Sequence, residues 1–169
     1  GQNMTVLIKN SQNVLQTDKR CLRKITEDLL IFLGQQSRTL SILLVDNKKM
    51  TNFNKRFFGK DRPTNVISFS YIENNEKKEN ESFADEVMGD IIISLEKAQE
   101  EAEMISCGFY ERLFALIIHG ILHILGYDHT GDPNEARKMR YREKKLLNHV
   151  RSHKLYKQKK KKKYAGELK

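Results

Sequence analysis

Short apolar runs alternate with longer stripes of helical period along this chain. Residues 5–9 read as a strand, closed by the turn pair Asn10-Ser11. Asp18 is placed to cap a helix to about residue 33, in which Leu22, Ile25, Leu29 and Phe32 recur at helical spacing, and Gly34 stops it. Residues 39–45 are apolar almost throughout and predict a strand buried on both faces. Asp46-Asn47 then turns the chain into a short helix to about 58, with Met50, Phe53 and Phe57 inward. Residues 65–71 and 87–94 are the third and fourth expected strands. Between them the polar stretch 73–81 has no apolar face and reads as a solvated connection. A glutamate-rich helix over 95–105 and the break Ser106-Cys107-Gly108 precede a strongly apolar helix from about 110. The last predicted helix opens at Asp132-Pro133, proline being tolerated in a first turn, and runs to about 150. Its expected buried face carries Met139, Leu146, Leu147 and Val150.

Strands alternating with helices in 169 residues predict one α/β (α+β) domain with a substantial core. Spacing alone does not fix the strand order. No internal repeat or interdomain linker interrupts the pattern, so the expected division is a folded domain over 1–152 and a basic, flexible tail over 153–169. Charge sharpens that division. The formal net charge is +9, and from Arg151 onward nine basic residues face the single acid Glu167, which leaves the remainder near neutral. The lysine run 159–163 is suited to attract a polyanion such as RNA by counterion release. Cys21 and Cys107 are too few for a disulfide framework, and no run approaches the roughly 20 apolar residues of a membrane span. A reducing cytoplasm is the expected compartment.

The chemistry concentrates at the end of the apolar helix, in His119-Gly120-Ile121-Leu122-His123-Ile124-Leu125-Gly126-Tyr127-Asp128-His129. A helix continued through His123 sets His119 and His123 one turn apart on one face. Gly126 suits the left-handed residue that ends a helix, and the turn it makes lets His129 swing back towards the other two. A lone histidine on an apolar helix is ordinarily a packing residue. Three with this spacing, and a fourth position open, form the ligand set of a catalytic zinc site. Zinc on three neutral imidazoles lowers the pKa of its water to about 7. The same spacing occurs in metzincin peptidases, where a glutamate beside the first histidine is the general base. Here that position is Gly120, so the usual route of peptide hydrolysis lacks its base. Asp128 is the candidate replacement, with a second possible role in closing the turn or orienting His129. Asp90 is a further candidate to orient a histidine. His149 and His153 read as surface residues.

The histidine motif closely resembles the signature of the YbeY family of bacterial endoribonucleases, which act in ribosomal RNA maturation. The stretch Gly59-Lys60-Asp61-Arg62-Pro63-Thr64-Asn65-Val66-Ile67-Ser68-Phe69 and the Gly89-Asp90-Ile91-Ile92-Ile93 strand are similar to two more of its segments, in the same order. The resemblance covers residues from about 5 to 150. It implies a mixed four-stranded sheet with packed helices, the histidine helix across one face. It implies one Zn2+ on His119, His123 and His129, and a single-strand-specific endoribonuclease whose partners are ribosomal RNA and the small ribosomal subunit. Phe58 stands where relatives usually carry an arginine linked to RNA cleavage, so Arg56, Lys60 and Arg62 are the candidate phosphate contacts. Ser70 stands where relatives often have proline. Two other classes stay open: a zinc hydrolase of peptidase type, and a non-catalytic ribosome-assembly factor with structural zinc.

Overall fold

A computed structural model describes residues 4–72, 87–128 and 130–167, with side chains as far as 160. The elements are β1 (Val6–Asn10), α1 (Lys19–Phe32), β2 (Thr39–Val45), α2 (Asn47–Phe58), β3 (Val66–Ser70), β4 (Val87–Ser94), α3 (Leu95–Met104), α4 (Phe109–Ile124), α5 (Pro133–Ser152) and α6 (Lys154–Glu167). The polar stretch 73–81 lies outside the described residues. Asp18, Asp46 and Asp132 each cap the helix that follows, their carboxylates accepting from the N–H groups of Cys21, Lys49 and Asn134.

The four strands form one mixed sheet in the order β1-β2-β4-β3. β1, β2 and β4 run parallel, and β3 pairs antiparallel with β4 at the edge. Parallel neighbours cannot be joined by a tight turn, which is why α1 intervenes between β1 and β2. The period of two then sorts the sheet residues onto two faces. Leu40, Ile42, Leu44, Ile91 and Ile93 join α1, α4, α5 and the start of α6 in the main core. On the other face Val45, Ile67 and Ile92 pack with Met50 of α2 in a smaller cluster.

That second face corrects two expectations. β2 is not buried on both sides: Thr39, Ser41 and Leu43 are only half-buried while Leu40, Ile42 and Leu44 are buried. α2 turns Met50 inward, but Phe53 is half-buried and Phe57 is 45 % exposed. A helix of 12 residues spans only about 18 Å and cannot roof four strands. It covers one end of the sheet and leaves an open groove lined by Ser41, Leu43, Phe57, Phe69 and Asp90.

The segment expected to be a flexible tail is helical as α6, as far as Glu167. Leu155 and Tyr156 give it an apolar seam, Tyr156 being 8 % exposed and edge-on to Phe114 at 6.2 Å. The adjoining Lys159 pairs with Asp18 at 2.9 Å. His153 is structural, its Nδ1 accepting from the Leu155 N–H at the start of α6. His149 ties two elements together: Nε2 meets Asp28 of α1 at 2.8 Å and the ring stacks on Phe32.

Candidate metal centre

α4 is pressed against the sheet, and this fixes what its histidines can do. Gly120 is buried over β4, where an added Cβ would lie 2.8 Å from Cδ1 of Ile91. At Gly89 of β4 an added Cβ would meet the Phe69 carbonyl oxygen at 2.3 Å and the Ile124 side chain at 2.8 Å. The Ser70 hydroxyl donates to the Ile124 carbonyl at 2.9 Å, tying the helix end to β3. With Gly120 against the sheet, the half-buried stripe of α4 is Glu111, Ala115, His119 and His123, spaced four residues apart.

The helix ends one residue after His123 in a Schellman pair: Tyr127 N–H donates to Leu122 C=O at 2.9 Å, and Gly126 N–H to His123 C=O at 3.0 Å. Gly126 has φ 99°, a backbone that a side chain rarely adopts. Asp128 then accepts from the backbone N–H and the hydroxyl of Thr130, at 3.0 and 2.9 Å. It thereby ties position 128 to Thr130, and His129 itself lies outside the described residues.

His119 and His123 point their Nε2 atoms at one place, 2.9 Å apart, with ring centroids 4.4 Å apart. The other nitrogen of His119 is taken up by α5: Nδ1 lies 3.3 Å from Oε2 of Glu143. A proton on Nδ1 donated to that carboxylate leaves Nε2 a lone pair, the tautomer a metal needs. Two nitrogens bound tetrahedrally to one zinc ion at about 2.0–2.1 Å each would stand about 3.3 Å apart, so the pair fits with a small opening. Among the described residues no group of three metal-binding side chains comes together.

Sequence reasoning did not find Glu143. Its signal is a carboxylate on the otherwise apolar stripe of Met139, Leu146 and Val150. Asp90 is displaced from the role considered for it. Its alternation places it on the α2 face of the sheet, opposite α4, where it accepts from the Tyr71 hydroxyl at 2.5 Å. That hydrogen bond, then burial, raises the Tyr71 pKa above the usual phenol range. Of the three candidate cations, Arg56 is carried by α2, across the sheet from α4, with its guanidinium 5.5 Å from the Phe57 ring centre. Lys60 and Arg62 lie in the exposed connection to β3, which Asn54 anchors by donating to the Arg62 carbonyl at 2.8 Å. Phe58 is 54 % exposed.

The family model described as "Endoribonuclease YbeY" matches residues 7–151. Among curated proteins, the Endoribonuclease YbeY of Geobacter sulfurreducens is 40% identical over 149 residues, covering 85% of this chain and 94% of the relative. The protein of the same name from Syntrophus aciditrophicus is 37% identical over 145 residues, covering 85% and 88%. The solution structure of TM1509 from Thermotoga maritima superposes with a TM-score of 0.61 at 25% identity, covering 86% of this chain and 89% of that one.

Proposed function

Since the chain belongs to the YbeY family of endoribonucleases, we propose that it is a zinc-dependent endoribonuclease cutting single-stranded ribosomal RNA during ribosome biogenesis. The observation that carries the metal half of this reading is the convergence of His119 and His123 Nε2 at 2.9 Å on the half-buried stripe of α4. The RNA half is carried by the names of the relatives.

His119 and His123, with His129 as the third ligand, would hold the ion. Three neutral imidazoles leave a zinc ion its full double charge, and when bound it supplies Lewis-acid stabilisation of a phosphodiester and activation of water. The chain's own groups do the rest. Glu143 fixes the tautomer and direction of the His119 ring from a separate helix. Gly120 offers no base, which argues against peptide hydrolysis by the metzincin route. Asp128, exposed at the turn, is the carboxylate we assign to accept the proton of the attacking water. Lys60 and Arg62, in the exposed connection to β3, are assigned to substrate phosphates, while Arg56 on α2 lies across the sheet from the histidines and is left out of the site. The small ribosomal subunit is the expected partner.

Phe58 favours a second reading, a ribosome-assembly factor whose zinc is structural. An exposed phenylalanine cannot neutralise a phosphate. One experiment separates the two: metal content of the purified protein, with RNA cleavage followed before and after chelation and in His123→Ala. The nuclease reading expects bound zinc, cleavage that chelation abolishes, and a folded but inactive variant. Zinc present without RNA turnover, together with an unfolded His123→Ala protein, would establish the assembly-factor reading instead.

A further inference from the structure

The near-neutral average of the folded body hides a local segregation of charge. Between residues 133 and 150, six cations (Arg137, Lys138, Arg140, Arg142, Lys144, Lys145) face two acids (Glu135, Glu143). α5 is therefore a basic helix, and it lies beside the stripe of α4 that carries the histidines. Between the two helices runs a groove of about 370 Å³ lined by Ala115, Ile118, Glu143, Lys144, Leu147 and Arg151. Its floor is aliphatic. Its ends are marked by two pairs joining α4 to α5: His119 with Glu143 at 3.3 Å, and Glu111 with Arg151. Glu111 and His119 are eight residues apart on one helix, so the groove extends about 12 Å away from the histidine pair.

We propose that this α4–α5 groove is a subsite for the RNA strand flanking the cleaved phosphodiester: a base lies on Ala115, Ile118 and Leu147, and its phosphates meet Lys144 and Arg140 on the rim. The proposal rests on the nuclease reading above and gives it a substrate path. Two observations, and one general property of single-stranded RNA, support it. The volume sits at the lower end of the roughly 300–1,000 Å³ typical of ligand clefts, which suits one unstacked base better than a larger group. Single-stranded RNA is bound by splaying its bases onto apolar or aromatic surfaces while cations track the backbone. Both acids at the groove are engaged within the protein, Glu143 with His119 and Glu111 with Arg151, while Lys144 and, one turn earlier, Arg140 are exposed. The rim is thus complementary to a phosphate chain that leads directly to the histidines.

The two halves of the subsite leave different signatures. Lys144→Ala and Arg140→Ala are surface changes; the double variant should weaken binding of a fluorescein-labelled single-stranded RNA oligonucleotide on the order of tenfold. It should also flatten the dependence of log K on log salt by about 1.4, two phosphate contacts at roughly 0.7 each. Ala115→Phe fills the groove floor from a half-buried position. It should weaken binding by about fivefold or more and leave the salt slope unchanged. Lys24→Ala, exposed on α1, serves as the control and should alter neither quantity. Circular dichroism establishes that each variant is folded, and anisotropy is read before appreciable cleavage. If the wild-type protein binds and cleaves RNA while the rim and floor variants match it in affinity and slope, the groove is excluded and the nuclease reading stands. If the wild-type protein neither binds nor cleaves RNA, both fall together.

Discussion

Gly120 shows why the base of the metzincin motif cannot be restored by substitution. The residue after His119 is turned about 100° round the helix, onto the sheet, where an added Cβ would already lie 2.8 Å from the Ile91 side chain and nothing longer fits. A glutamate there would displace α4 or bury an unpaired carboxylate. Gly120→Glu is therefore expected to lower thermal stability by at least about 3 kcal/mol and to create no casein hydrolysis. A stable, proteolytic variant would refute this account of α4. Glu143 gives the opposite case, a residue that matters through its reach. Glu143→Ala should weaken zinc binding about 10- to 100-fold in competition with a chelator, while Glu143→Gln, which keeps an acceptor oxygen, should lose less. Equal affinity in all three proteins would remove Glu143 from the site. The two histidines were legible in the sequence because a spacing of four on a helix is a local geometric fact. Glu143 was not, because it meets His119 through tertiary packing across 24 residues of chain.

Whole elements were legible where apolar period and caps agreed. Asp18, Asp46 and Asp132 mark three helix starts by a local hydrogen bond, and β2 and β4 run over the residues their apolar stretches span. What period cannot convey is how much of a neighbour an element covers, so the exposure of Phe57 and the half-open face of β2 emerge only from the assembled sheet. The order β1-β2-β4-β3 is likewise a property of the assembly, and the family resemblance implied a mixed sheet without specifying it. Gly89 belongs to this scale. It sits where β4, the β3 backbone and the end of α4 come closest, and its immediate obstacle is a backbone oxygen rather than a flexible side chain. Gly89→Ala is expected to cost about 1–3 kcal/mol or more, beyond the cost of Gly120→Ala, where the Ile91 side chain can yield part of the space. Chemical denaturation of the two variants side by side measures the difference. Gly120→Ala also gains roughly 1 kcal/mol of helix propensity, which widens the expected gap. Equal stability would mean that the contact of α4 with the sheet is looser than the Gly89 site implies.

At the scale of the molecule, α6 returns the C-terminal part of the chain to the first turn of α1. Asp18 both caps α1, accepting from Cys21 N–H at 3.1 Å, and pairs with Lys159 at 2.9 Å. Those two contacts, the backbone hydrogen bond first, hold the Asp18 carboxyl below its usual range, and the Asp18 hydrogen bond raises Lys159 above its own. A carboxylate with a lowered folded pKa contributes stability above its unfolded value, about 3.9, and loses it as pH falls through the folded value. A lysine with a raised folded pKa contributes below its unfolded value, about 10.4, and loses it as pH rises through the folded one. The link is therefore at full strength between about pH 5 and 9, and is lost as pH falls through the lowered Asp18 value or rises through the raised Lys159 value. Both side chains are partly exposed, at 37 % and 30 %, so the pair is worth no more than about 1 kcal/mol. Lys159→Ala should thus lower the melting temperature slightly and evenly across that range, and the deficit should shrink below pH 4 as Asp18 takes up its proton. Asp18→Ala removes the cap as well as the pair, and should cost about 1 kcal/mol more at pH 7. Tyr156→Ala, which opens the apolar seam beside Phe114, should exceed both by about 2 kcal/mol and show no such pH window. Melting curves of the three variants from pH 3 to pH 10 test this ordering. A Lys159→Ala deficit that is the same at pH 3 as at pH 7 would show that α6 is held by the Tyr156 seam alone.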